Sequence, residues 1–379
     1  MILQALLVSK DDQAAETLTQ VLANFGVAVD RSSAVEVAVA RLSEERFDQV
    51  IVDFEDPATA ALVLESNRHQ TPAEHGNPPV TVALVSDTSQ IRAILGAGAH
   101  FILTKPITHD QATATLRAAT ALLKRERRRT FRVPVQAAVS LHTEEDPNLE
   151  GILLDLSTGG MDVLVAKPLA SVGLVRVTFE LPETGGKIEG DTQVAWTNPN
   201  GQTGLRFLDM DVSMREELGE WMAAHAHDAM PEEPDPVSQC KLTDMSLGGC
   251  YVETESPFPQ SSSVDLCLKA AGMEIHTEGC VRVMHPAHGM GIEFPARTEE
   301  QRKSVGDFIE FLTGQPGATP LLEISPRSLM ASPEELNRKP DAAADAEDPL
   351  LDLLRTGDSL EQTDFLSELH RQRNSAEVS

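Results

Sequence analysis

Aromatic side chains are scarce in this 379-residue chain: 4% of residues, with one Tyr and two Trp. Any core must therefore rest on Leu, Val, Ile and Ala, which the 41% hydrophobic content supplies. Cations are outnumbered as well, 31 against 59 acidic residues, for a net charge of −28. Such a chain lacks the footprint of a nucleic-acid or anionic-membrane binder, so neither partner is expected. The four cysteines, Cys240, Cys250, Cys267 and Cys280, show no CxxC spacing and read as reduced packing thiols. The start, MILQALLVSKDD, has no basic leader region, and its apolar run is too short to span a bilayer. A cytoplasmic protein without membrane insertion is expected. Missing too are a GxGxxG, a P-loop, a nucleophile elbow and an HExxH. His285 and His288 flank Pro286 and Ala287 with no carboxylate beside them in sequence. The expectation is a non-enzyme with no cofactor and no metal.

What is present begins with alternating strands and helices. Leu3–Val8, Gln49–Val52, Val80–Val85 and Phe101–Leu103 read as buried strands. Between the first two, Asp11 or Asp12 offers an N-cap, Leu18, Val21, Leu22 and Phe25 follow at helical spacing, and Gly26 ends the helix. This alternation predicts a doubly wound parallel sheet with its chemistry at the carboxyl ends of the strands. The last helix of the unit, from about Asp110, runs into a basic string. Lys124, Arg125, Arg127, Arg128, Arg129 and Arg132 place six cations in nine positions.

Beyond that string the pattern changes to short β runs punctuated by Gly, Pro and Asn, which suggests an antiparallel barrel or sandwich. A helix from Met214 to about Ala226 closes it, and the acidic DAMPEEPDP follows as a linker. The chain then repeats itself. GILLDLSTGGMDVLVAKPL, starting at Gly151, matches CKLTDMSLGGCYVETESPF, starting at Cys240, at an offset of 89. Val194–Phe207 matches Val281–Phe294 at an offset of 87. Two copies of one fold are expected, the second closed by a helix over Glu299–Gly314. From Gln315 onward, frequent prolines and the stretch DAAADAEDP read as a disordered acidic tail, with short amphipathic helices at Leu350–Leu354 and Leu360–Leu369.

Two resemblances follow from these residues. Asp53 after FDQVIV, Ser86 after the third strand, and Lys105-Pro106 in AGAHFILTKP resemble the response-regulator receiver domain. The resemblance implies that Asp53 is the phosphoacceptor, sensed by Ser86 and Lys105, with an acidic pair after the first strand to bind Mg²⁺. Here Ser9 and Lys10 stand in place of that pair. Mg²⁺ needs hard oxygen ligands, and a lysine beside Asp53 would take the cation's place. A pseudo-receiver used for docking or dimerisation is therefore expected.

ERRRTFRVPV followed by DLSTGG resembles the PilZ domain, the bacterial receptor module for cyclic di-GMP, whose motifs are RxxxR and (D/N)xSxxG. The resemblance makes Arg128 and Arg132, with Arg127 beside them, a cationic arm; Asp155, Ser157 and Gly160 complete the nucleotide site. Arginine suits this ligand because its fork makes paired bonds to phosphate or guanine and stacks on bases. The second copy keeps Asp244, Ser246 and Gly249, but PEEPDPVSQ upstream of it holds no arginine. It is read as a divergent PilZ-like fold without independent nucleotide binding.

The architecture expected is thus α/β followed by β. A receiver-like domain occupies 1–122, a PilZ domain 123–228, a second PilZ-like domain 229–314 and a tail 315–379. Each barrel would be closed by a C-terminal helix. The function expected is a signalling adaptor that binds cyclic di-GMP in its first barrel. Protein partners would dock through the receiver-like domain, the second barrel or the tail, and a homodimer is one such arrangement. The competing readings are a phosphorelay regulator working through Asp53 and a scaffold that binds only proteins.

Overall fold

A computed structural model describes residues 3–69, 79–143, 146, 148–169, 173–225, 237–270, 272–294, 299–314, 320–330, 348–357, 360 and 362–376. They fall into two compact units, one around residues 127–225, the other formed by residues 3–126 together with 237–376.

The N-terminal part of the second unit is a five-stranded parallel sheet. Its strands are β1 (Leu3–Val8), β2 (Val27–Ser32), β3 (Gln49–Asp53), β4 (Val80–Val85) and β5 (Phe101–Thr104), in the order β2-β1-β3-β4-β5. Helices α1 (Asp12–Asn24), α2 (Val35–Glu44), α3 (Pro57–His69), α4 (Ile91–Gly96) and α5 (His109–Thr130) connect and follow them. Asp11 caps α1 by accepting from the Ala14 amide at 3.0 Å. The apolar runs of β1, β3 and β4 are buried on both faces, as a parallel sheet requires. β2 did not stand out in the sequence because it is an edge strand, with polar Asp30 and Arg31 in its exposed stretch.

The first unit is a closed antiparallel barrel of β6 (Val133–His142), β7 (Leu149–Ser157), β8 (Gly160–Val165), β9 (Leu174–Glu180), β10 (Lys187–Thr197) and β11 (Gln202–Asp209). Helix α6 (Val212–His225) follows and buries Leu218, Trp221 and Met222 in the barrel's core. Both tryptophans of the chain belong to this unit.

The second barrel belongs to the other unit. It contains β12 (Val237–Met245), β13 (Gly249–Glu253), β14 (Ser263–Ala270), β15 (Met273–His285) and β16 (Gly289–Glu293), then helix α7 (Glu299–Gly314) and strand β17 (Leu321–Ser328). Around the first barrel the order is β10-β11-β8-β7-β6-β9, and around the second it is β15-β16-β13-β12-β17-β14. Thus β17, from the far end of the repeat, takes the place that β6 holds at the start of the first barrel. It pairs antiparallel with β12 and β14, as β6 does with β7 and β9. Without it both neighbours would present open edges. β17 lies in the stretch from 315 expected to be a disordered tail, so the second barrel does not end at 314. Pro326 inside the strand hid it, accommodated beside a register shift between Ser263 and Val264.

The amphipathic helices expected near the C-terminus form as α8 (Pro349–Thr356) and α9 (Gln362–Ala376). The acidic stretch 331–347 and the linker at 228–236 lie outside the described residues. The receiver-like sheet and second barrel share one buried cluster, which runs from Leu116 and Leu122 of α5 to Phe258, Leu266 and Phe308. Glu126, near the end of α5, accepts from the Leu329 amide at 2.5 Å.

Candidate functional site

The first barrel brings the sequence motifs together through strand pairing. Val133 pairs with Leu156 and Pro134 with Asp155, so Arg132, one residue before β6, reaches the carboxylate of Asp155. Its Nη1 donates to Asp155 Oδ1. The pair stays partly open, with 43% of the arginine side chain and 27% of the aspartate exposed. Arg127 and Arg128 lie half-buried in the last turns of α5.

Ser157 departs from its expected role. It is 2% exposed, and its hydroxyl donates to the Gly160 carbonyl at 2.9 Å. The hydroxyl closes the β7–β8 turn and is not directed at a ligand. Gly160 is required by packing, because a Cβ there would lie 2.2 Å from the Leu205 carbonyl oxygen on β11.

Sequence reasoning missed Asp162. On β8, Met161, Val163 and Val165 fill the core, so Asp162 lies on the opposite face of the strand, directly across from Asp155 and Gly204. It is 6% exposed; Gln202 Nε2 donates to Oδ2 at 2.6 Å, and among the described residues Oδ1 meets no hydrogen-bond donor. Burial pushes its carboxyl up, the Gln202 bond opposes this, and the Asp155 charge adds to the rise. An acid interrupting the apolar MDVLV was the available signal. Beside it Trp196, 42% exposed, lies over Gly204, where a Cβ would meet indole Nε1 at 2.3 Å. Arg206 completes the face and donates to Gln193 Oε1 at 2.6 Å.

This face carries two guanidinium forks, Arg132 and Arg206, two carboxylates and an exposed aromatic plate. Arginine can pair with phosphate, carboxylates can accept from guanine N1–H and N2–H₂, and an indole can stack on a base.

The second barrel presents the same face with different chemistry. Asp244 is half-buried and accepts from the Met245 amide at 2.9 Å. The places of Asp162, Trp196 and Arg206 are taken by Tyr251, Val283 and Glu293. No arginine arm precedes it, and α8 packs across β13, β15 and β16.

In the receiver-like sheet, Asp53 ends β3, accepting from Ser9 Oγ at 2.7 Å and from Lys105 Nζ at 2.6 Å. Lys105 also lies 3.4 Å from Asp11 Oδ2. Lys10, expected to be the cation beside Asp53, is exposed, and its charge acts on Asp56. Just past the end of β1, Ser9 meets Asp53, whereas Lys10 lies out in solvent. The cation there is Lys105; burial would lower its pKa, but Asp53 and then Asp11 outweigh that and hold it above the usual lysine range. Ser86 follows β4 and is exposed. The donor set does not fit Mg²⁺: an ammonium lies between the two nearest carboxylates, and one of these caps α1.

The four cysteines are free; Cys250 and Cys280 are fully buried. Cys267 Sγ, Glu274 Oε1 and His276 Nε2 meet at the surface, but Lys269 Nζ already lies 3.5 Å from the same carboxylate oxygen. No helix among the described residues is long and apolar enough to cross a membrane.

Residues 126–224 and 227–311 each match the family model of the PilZ domain. The chain therefore carries two PilZ domains behind a receiver-like domain. Among solved structures, it is similar to the PilZ domain with c-di-GMP of YcgR from Escherichia coli. That match has 20% identity and a TM-score of 0.23, covering 25% of this chain and 88% of the other. It is also similar to a response regulator receiver protein from Burkholderia phymatum, at 23% identity and a TM-score of 0.24, covering 28% of this chain and 86% of the other. A third is the PilZ domain of CeSA from a cellulose-synthesizing bacterium, at 17% identity and a TM-score of 0.22, covering 26% and 99%. No curated protein matches the chain.

Proposed function

We propose that this protein is a cytoplasmic signalling adaptor that binds cyclic di-GMP through its first PilZ domain. The observation that carries this reading is the junction of Arg132 with Asp155 on an open face that also holds Asp162 and Trp196. In this reading Arg127, Arg128 and Arg132 bind the phosphodiesters and guanine acceptors. Asp155 accepts from the guanine edge, and the buried Asp162 behind it orients Gln202. Ser157 and Gly160 act as positioning residues that shape the turn.

The relay runs through the chain itself. The arginine arm continues from α5, whose preceding turn is tied by Glu126 to Leu329 beyond the second barrel. Closure of the arm on a nucleotide would change how α5 ends, and so alter surfaces offered to protein partners. The receiver-like domain then serves docking, since its Asp53 is already neutralised by Lys105.

Calorimetric titration of the full chain with cyclic di-GMP tests the reading. Saturable binding that weakens in Arg132→Ala supports it. No heat at millimolar nucleotide, or unchanged affinity in that variant, overturns it.

A further inference from the structure

The nucleotide-type face of the second barrel is covered by the chain's own C-terminal helices. Asp348 caps α8 by accepting from the Leu351 amide at 3.0 Å, and its other oxygen accepts from the Gly248 amide at 3.0 Å. Gly248 belongs to the repeated DxSxxG motif, so the loop that would meet a ligand instead holds the helix cap.

Leu354 then fills a socket lined by glycines. A Cβ on Gly291 would lie 2.2 Å from Leu354 Cδ2, and one on Gly249 would lie 2.8 Å from Leu354 Cδ1. In the first barrel the glycine equivalent to Gly291 is Gly204, and Trp196 of the same barrel covers it. The second barrel has Val283 in place of that tryptophan, too short to do so, and a leucine from outside the barrel takes over.

Charge is exchanged in the same way. Where the first barrel has Arg206, the second has Glu293, 3% exposed and bonded to Arg282 and to Arg355 of α8, each at 2.6 Å. Around these contacts Tyr251, Val283, Leu350, Leu353, Phe365 and Leu369 form a separate buried cluster. Gly357 permits the tight turn to α9, since a Cβ there would lie 2.5 Å from the Phe365 ring.

We infer that the second PilZ barrel is a receptor for an amphipathic helix, not for a nucleotide, and that residues 348–376 are its ligand. The recognised chemistry is an aspartate cap, leucines spaced three and four apart, and an arginine that meets the buried Glu293. Gly249, Gly291 and Val283 make the groove beside Tyr251, and an acidic group selects a cation; Val283 and Glu293 stand where the first barrel has Trp196 and Arg206. Cyclic di-GMP is blocked by Leu354, and Arg282 and Arg355 are both already paired with Glu293.

A protease site placed within residues 331–347 of the full-length protein tests this. After cleavage, the fragment that carries 348–379 should co-elute with the remainder at micromolar concentration and exchange with a labelled 348–376 peptide. Leu354→Asp should release it, and Arg355→Glu should weaken retention at least tenfold. Both changes lie in the fragment and leave the barrel's own sequence intact. Release of the wild-type fragment after cleavage would overturn the inference. So would unchanged retention of Leu354→Asp, or displacement of the fragment by cyclic di-GMP.

Discussion

Arg355 donates to Glu293 at 2.6 Å, and Glu293 stands in the second barrel where Arg206 stands in the first. The first repeat thus holds a cation at this place, bonded to Gln193, while the second has the opposite sign there and draws a cation from its own chain. Glu293 is a buried acid; burial raises its pKa, yet Arg355 and Arg282 together hold it below the usual glutamate range. Its stabilising contribution is present above about pH 4.5 and is lost as pH falls through the lowered folded value.

The two barrels should respond differently to matched substitutions. Arg132→Ala or Asp155→Ala should weaken cyclic di-GMP binding by about 1.5–3 kcal/mol, the range for a charged hydrogen-bonding group. Asp244→Ala should leave it unchanged. Titration of the three variants checks this, and loss of affinity in Asp244→Ala would show a second nucleotide site.

Asp162 predicts a pH effect. Its carboxyl titrates higher in the fold than in the unfolded chain, so it favours folding below the ordinary aspartate value of 3.8 and loses that contribution as pH rises through the folded one. Asp162→Asn should therefore stabilise the first barrel at pH 7, with the gain shrinking toward pH 4. Tryptophan fluorescence during urea unfolding reports this, because Trp196 and Trp221 both lie in that barrel.

His285 predicts the opposite slope in the second barrel. It is 6% exposed, bonded to the Tyr251 hydroxyl at 3.0 Å and packed against Phe365. Burial, with a smaller push from His288, lowers its pKa from 6.5 to about 4. The stability this supplies is complete above pH 6.5 and is lost as pH falls toward 4, a change of roughly 3 kcal/mol at about 1.4 kcal/mol per unit. Protection factors of amides in α8 and α9, corrected for the intrinsic exchange rate at each pH, should fall over that window, and His285→Phe should flatten the response.

At the receiver-like site, Lys105→Met should destabilise by about 2 kcal/mol or more, because it strands the buried Asp53 carboxylate. Lys10→Met should stay within about 0.5 kcal/mol, as exposed substitutions do. Acetyl phosphate with Mg²⁺ should leave Asp53 unmodified by mass spectrometry. A stable phosphoryl adduct would restore the phosphorelay reading.

Strand β17 sets where the second barrel ends. A chain stopped at residue 314 should lose cooperative unfolding of that barrel, followed through Tyr251. One stopped at residue 330 should retain it, since β12 and β14 are then both paired.

Local pattern was enough for much of this architecture. Buried apolar runs ending at Asp53 and before Lys105 specify a parallel sheet with these residues at the carboxyl ends of its strands. The order and spacing of the RxxxR and DxSxxG motifs marked Arg132 and Asp155 without showing that β6–β7 pairing bonds them to each other. The repeat, visible at offsets of 89 and 87, specifies two barrels. What depended on distance in three dimensions was not legible. Lys10 and Lys105 are both lysines near an aspartate, and only the direction of the chain after β1 decides which one neutralises it. Ser157 looks like a ligand until the β7–β8 turn claims its hydroxyl. β17 is a proline-bearing octapeptide whose strand state comes from two open edges waiting for it, a tertiary demand that overrides local propensity. The helices at 349–376 were legible as amphipathic, but an apolar stripe does not say what it covers. That was decided by a glycine socket left open where the second barrel has Val283 in the place Trp196 holds in the first, and by a buried glutamate paired with a cation of the helix.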